Sequence, residues 1–160
     1  MLRRKAAPVN LDRIDFEILR LLQNNARILN KELSSAVGLA PSSCHERIKR
    51  LWSEGVITGT QALVAPEKLG YALCAVIFVN ISKDGQLAID ELMDELVSIP
   101  EVQHIHLVTG RYDLIINVIA KDMDHLKTVA YKFLTGRKEI SRYETSISYD
   151  SRQKTMVPTS

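Results

Sequence analysis

Two short stretches carry side chains able to bind a charged partner. The first is Ser42-Ser43-Cys44-His45-Glu46-Arg47-Ile48-Lys49-Arg50. Wound as a helix, it turns Cys44, Ile48 and Leu51 to one side. Ser42, Glu46 and Lys49 then face outward, flanked by Ser43, His45, Arg47 and Arg50. Short hydroxyls near a helix start permit close approach to base edges. Arg and Lys reach guanine or phosphate, and Glu46 can accept from cytosine. Lys31 and the Arg3-Arg4-Lys5 run would add phosphate contacts that salt weakens. The same residues could equally form a solvated helix face. The charge distribution favours DNA: residues 1–60 hold ten Lys/Arg against six Asp/Glu (+4), and residues 61–160 hold eleven against thirteen (−2). A basic first third suits an anionic partner.

The second stretch is Leu107-Val-Thr-Gly-Arg-Tyr-Asp-Leu-Ile-Ile-Asn-Val118, where Gly110, Arg111, Tyr112 and Asp113 interrupt apolar sequence. Gly110 can take φ > 0 in a tight hairpin and lets a ligand approach the backbone. Just before it, His104 and His106 stand two apart, so a strand would project both from one face. Two imidazoles could ligate a metal, with Glu101 or His125 conceivable from elsewhere. Nothing in the strand completes the set, and packing beside Val102 and Val108 is the preferred reading. We expect no metal and no cofactor. No nucleophile–base constellation or phosphate-binding loop is visible, which argues against an enzyme.

These residues need elements to hold them. Residues 11–24 repeat apolar side chains at Leu11, Ile14, Ile18, Leu21 and Leu22, a helical spacing, with Asp12, Asp15 and Glu17 near its positive end. Asn30 is a plausible cap for a second short helix that Gly38 stops. A third opens at Pro41 and ends at Gly55. A first helix followed by two short ones joined at a Gly makes a helix-turn-helix. Residues 58–70, with Gly59, Pro66 and Gly70, read as a hinge.

Residues 71–150 divide into two similar halves. Strands are expected over 71–82, 101–108, 112–120 and 142–150, with helices over 85–99 and 122–136. The order βαββαβ is the ferredoxin-like split motif, so the fold class is α+β. In that topology the first and third strands are central. Here both are apolar on both faces, while the fourth is apolar on one. Two helices cover only one face of the sheet, so the other calls for a second subunit. We therefore expect domains over 1–57 and 71–150, a linker over 58–70, and a C-terminal tail over 151–160. The two cysteines, Cys44 and Cys74, fall in different domains, so no disulfide is expected. The apolar runs are too short to span a bilayer, and the location expected is the cytoplasm.

The stretch from Leu11 to Gly59 resembles the N-terminal domain of the Lrp/AsnC (leucine-responsive/asparagine) family of transcription regulators. His106–Val118 resembles that family's effector signature, which falls here on Thr109, Gly110, Tyr112 and Asp113. The resemblance spans residues 11–150. It implies an N-terminal winged helix-turn-helix that binds double-stranded DNA, and a C-terminal domain that dimerises through its sheets. It implies further assembly to tetramers or octamers and a small effector, usually an amino acid, bound between them. A zwitterion's carboxylate would be taken by Arg111 or the backbone after Gly110. Its ammonium would be taken by Asp113, with Tyr112 over the side chain. The alternative is a plain hairpin in which Asp113 bonds its own backbone. Ala40 stands where the family usually has Ser before the proline, so capping is expected to shift to Ser42 or to weaken the helix start. Trp52 replaces a more usual polar residue and is expected to pack against the hinge. Two other readings share some of these features: a weakly specific architectural DNA organiser, and an enzyme resembling the sirohaem decarboxylases. The well-formed basic helix favours a sequence-specific regulator over both.

Overall fold

The computed structural model describes residues 8–83, 85–154 and 156–159. The chain divides into two compact units, one over residues 64–152 and one that joins residues 8–63 to residues 153–159.

In the first of these to begin along the chain, three helices form: α1 (Arg13–Asn24), α2 (Asn30–Ala36) and α3 (Pro41–Ser53). The apolar spacing read above buries Ile18, Leu33, Cys44 and Leu51, which together are the centre of this small core. Leu11, Ile14, Leu21, Leu22, Ile48 and Val37 pack around them, half-buried. The starts of the helices differ from expectation in instructive ways. Asp12 caps α1: its carboxylate accepts from the Asp15 N–H at 2.9 Å, and Asp15 accepts from the Asp12 N–H at 3.0 Å. That reciprocal box satisfies two donors left free at a helix start. Asn30 does not cap α2; Leu29 holds that position and Glu32 reaches back to its N–H. The Asn30 amide is spent instead on the Pro41 carbonyl, 2.9 Å away, which ties α2 to the start of α3. Nor does Ser42 cap α3. Ala40 is the cap residue, with no side-chain bond, and the fixed φ of Pro41 begins the helix without it. After Gly55, the Val56 and Ile57 N–H groups return to the Leu51 carbonyl, closing the helix end.

The second unit is a four-stranded antiparallel sheet, β1 (Leu73–Ile81), β2 (Val102–Leu107), β3 (Leu114–Ala120) and β4 (Ile140–Ser148), in the order β2-β3-β1-β4. The first and third strands are central, as their two-sided apolar sequence requires. Two helices, α4 (Ile89–Val97) and α5 (Met123–Leu134), supply the crossovers. Alternation in β1 sends Ala75, Ile77, Val79 and Ile81 inward, and β3 sends Leu114, Ile116, Val118 and Ala120 to the same side. Leu92, Leu96, Leu126, Val129 and Leu134 complete that core. Asp122 caps α5, accepting from the His125 N–H at 2.8 Å, and Gly136 follows the helix at φ 78°. The expected helix over 85–99 is shorter than its sequence pattern: a 3-10 turn at Gly85–Leu87 precedes α4.

The opposite face of the sheet carries Val76 and Phe78 of β1 with Ile115 and Ile119 of β3. These four are half-buried, with no helix on them. At the start of the sheet unit, within the stretch read as a hinge, a 3-10 turn at Pro66–Leu69 ends on Gly70 in a left-handed conformation.

Candidate functional site

Helix α3 presents its residues on three sides. Cys44 and Leu51 are fully buried, and burial pushes the Cys44 thiol pKa up, so this cysteine is a small core side chain. Turned away from the core, Ser42, Ser43, His45, Glu46 and Lys49 are exposed, and so is Lys31 on α2. Among the described residues none of His45, Glu46, Lys49 or Lys31 is held in an ion pair, so their polar ends are available to a ligand. The Arg3-Arg4-Lys5 run expected to add phosphate contacts lies outside the described residues.

Arg47 and Arg50 are placed differently. They sit on the flank of α3 that meets the start of α1. Arg47 Nη1 lies 2.6 Å from Asp12 and 2.9 Å from Asp15, and Arg50 Nη2 also binds Asp15. The Asp15 side chain is wholly inaccessible to solvent, while the two guanidinium groups are partly exposed. Asp15 therefore accepts from the Asp12 N–H and from two arginines, which compensates its burial. The Asp15 N–H bond, followed by the Arg47 guanidinium, holds the Asp12 carboxyl below its usual range. The Asp12 and Asp15 carboxylates in turn raise Arg47 above its usual value. The two arginines named as DNA contacts thus form a clamp that fixes α3 on α1. The sequence carried a signal for it: an acidic pair at i, i+3 and a basic pair at i, i+3, of matching spacing.

The second stretch does form a turn between β2 and β3. Gly110 has φ 123°, a conformation that side-chain-bearing residues rarely adopt. Thr109 and Arg111 are exposed. Asp113 faces the other way from a free ammonium partner: its Oδ2 accepts from the Ile81 N–H at 2.8 Å, and its own N–H donates to the Val79 carbonyl. The plain-hairpin alternative would have Asp113 bonding its own backbone; its carboxylate instead takes the N–H of Ile81 in β1. Oδ1 retains acceptor capacity. Tyr112 lies on the uncovered sheet face, 4.9 Å from the Phe78 ring, and its hydroxyl donates to Glu144 on β4 at 3.1 Å. Arg111 stacks over the Tyr112 ring, and Arg142 binds Glu144 at 2.7 Å. Asn80 donates to the Arg111 carbonyl at 2.7 Å. Sequence reading missed Glu144, Arg142 and Asn80. They lie some thirty residues from the turn, and only the pairing of β4 and β1 brings them there. The result is a cluster in which Arg111, Arg142 and the Glu144 carboxylate gather about Tyr112, with Asp113 next in the chain, a set of charges able to meet both ends of a zwitterion.

The two histidines stack on that same sheet face with rings parallel and 5.0 Å apart. Glu101 and His125, conceivable as further ligands, pair with each other at 3.3 Å instead. Among the described residues no group of three or more His, Cys, Asp or Glu is arranged to hold a metal ion. No helix among them is long and apolar enough to cross a membrane.

Comparison with known proteins agrees with this division. Residues 11–58 match the winged helix-turn-helix DNA-binding family, and residues 74–158 match the Lrp/AsnC ligand binding domain. The transcriptional regulator AzlB of Bacillus subtilis is 32% identical over 148 residues, covering 92% of this chain and 94% of its own. The leucine-responsive regulatory protein of Haemophilus influenzae is 38% identical over 113 residues, covering 71% of this chain and 68% of its own. A Neisseria meningitidis transcriptional regulator solved as its L-Met complex superposes with a TM-score of 0.86 at 30% identity, over 93% of this chain and 97% of that one.

Proposed function

The chain belongs to the Lrp/AsnC family and is a helix-turn-helix transcription regulator, and from that premise we propose where it reads DNA and senses its effector. The reading surface is the outward side of α3: Ser42, Ser43, His45, Glu46 and Lys49, with Lys31 of α2 on phosphate. The carrying observation is the clamp of Arg47 and Arg50 on Asp12 and Asp15, which turns that side outward and fixes it. Arg47 and Arg50 act as positioning residues; the solvent-facing part of Arg50 can add a phosphate contact beside Ser43. Such a helix enters the major groove with its first turns against base edges. The same surface on a weakly specific DNA organiser would lack any need for His45 and Glu46 near the bases. We assign no catalytic activity, and the work is done in the cytoplasm, where the DNA is.

The regulator acts as a homodimer. Val76, Phe78, Ile115 and Ile119 form the apolar face left uncovered by α4 and α5, and a second copy of the same face covers it under two-fold symmetry. Dimers assemble further into tetramers or octamers.

The effector is an amino acid held at the Gly110 turn. Arg111 with the backbone after Gly110, supported by Thr109 and Arg142, takes its carboxylate. Asp113 Oδ1 and Glu144 take its ammonium, and Tyr112 covers its side chain. Titration calorimetry with L-methionine first, then the other nineteen amino acids, tests this. Asp113→Asn keeps an oxygen for the Ile81 N–H while removing the charge, and Arg111→Ala removes the cation. Binding that both variants weaken at least tenfold is expected. No heat from any amino acid, or unchanged affinity in both variants, overturns the site.

A further inference from the structure

The DNA-binding unit has a surface feature that shares His45 with the proposed reading surface but is otherwise lined by residues to which neither DNA reading nor effector sensing has been assigned. An open groove of about 790 Å³ runs along the side of α3 opposite the arginine clamp, walled by Leu19, Leu22, Ile48, Trp52 and Ile57. The C-terminal segment also lines it, with Val157, Pro158 and Thr159. One side chain of α1 holds that segment. Gln23 Oε1 accepts from the Val157 N–H at 2.7 Å, and Gln23 Nε2 donates to the Val157 carbonyl at 3.1 Å. A primary amide offers one donor direction and one acceptor direction, so it can pair with both backbone groups of one extended residue as a neighbouring strand would.

We propose that residues 157–159 are a releasable strap on the DNA-binding unit, seated by Gln23 and lying along the groove beside Ile48 and Trp52 of the recognition helix. The attachment is built to come off. Both hydrogen bonds depend on the Gln23 side chain, and Val157 is 69% exposed. The strap also has a fixed origin. Strand β4 ends at Ser148 and the boundary between the two units falls after Arg152, so a short link, residues 149–156 of the chain, joins the last strand of the sheet to the strap. The DNA-binding unit is thereby held covalently from both ends of the sheet domain, at residues 63–64 and 152–153. A shift in β4, the strand that carries Glu144, is passed to α1 and α3 along continuous chain. Docking of the strap stands without the effector assignment; its use as a relay rests on that assignment.

The chain contains a single tryptophan, and it stands in the groove 43% exposed, so the strap has a built-in reporter. Acrylamide quenching and emission maximum of Trp52 are measured in the full chain, in a chain ending at Arg152, and in Gln23→Leu. Circular dichroism checks that each is folded. Both changes should raise the quenching constant and shift emission to the red. Hydrogen exchange should speed in α1 and α3 and stay unchanged in β1–β4. Cysteines placed at Ala26→Cys, on the same groove, and Val157→Cys, with Cys74→Ser and Gln23 kept, should join through a short bismaleimide within one chain. Unchanged quenching in both folded variants overturns the strap. A covalent dimer overturns its assignment to the same chain. Exchange altered equally in the sheet overturns its local hold on the reading helix.

Discussion

Replacing Asp15 by Ala tests the clamp that orients the reading helix. The Asp15 carboxylate is fully buried and accepts three hydrogen bonds: from the Asp12 N–H, Arg47 and Arg50. Bonds to charged groups contribute about 1.5–3 kcal/mol each. Breaking a buried pair costs about 3–5 kcal/mol when a charge is left stranded. Here neither arginine is stranded, because their side chains are 29% and 43% exposed and water can solvate them once Asp15 is gone. Arg47 also keeps Asp12. The loss of half the capping box adds to the cost, while relief of carboxylate burial subtracts. The balance is about 2–4 kcal/mol, which for a unit of this size lowers the midpoint of unfolding by roughly 10–20 °C. Calorimetry on the full chain should show the DNA-binding unit's transition move while that of the sheet domain holds. Arg50→Ala leaves Asp15 with two partners and should cost about 1–2 kcal/mol. The double variant should cost little more than Asp15→Ala alone, since the two share one interaction. A loss below about 0.5 kcal/mol for Asp15→Ala, or simple additivity, would refute the reasoning.

Two more outcomes follow from the same geometry. Phe78→Asp puts a charge in the centre of the uncovered sheet face and should convert the dimer to monomers in sedimentation velocity with the strands still formed; an unchanged dimer would move the interface elsewhere. Asp12 titrates below its ordinary 3.8 in the folded chain, so its contribution is complete above about pH 5, declines below 3.8 and is gone once pH has fallen through the lowered folded value. Acid titration followed by circular dichroism should show the DNA-binding unit weakening there, and Asp12→Asn should flatten the curve.

Much of this was legible in the residues. Periodicity placed α1, α3 and α5, and the two-sided apolar character of β1 and β3 fixed them as central strands before any pairing was known. Asp122 and Gly136 marked the ends of α5 because cap chemistry is local. What stayed hidden was non-local. Asp15 reads as a first-turn acid favoured by the helix dipole, and only packing of α1 on α3 makes it the partner of two arginines. Arg47 and Arg50 look like phosphate ligands on a helical wheel because a wheel has no neighbours. Asn30 has a cap residue's chemistry, but the Pro41 carbonyl competes for it across eleven residues. Glu144 joined the turn through strand register, and the tail joined the DNA-binding unit through one glutamine.

The central claim, that the outward side of α3 reads DNA, is tested most directly by selecting binding sites from a random duplex library with the full chain and with Glu46→Ala and Lys49→Ala. The account predicts a two-fold-symmetric motif with half-sites about one helical turn, or a multiple, apart. It predicts altered base preference within the half-site for Glu46→Ala, and weaker binding with a salt slope reduced by about 1 for Lys49→Ala. Selection of no motif, or of the same motif at the same affinity by both variants, would contradict it.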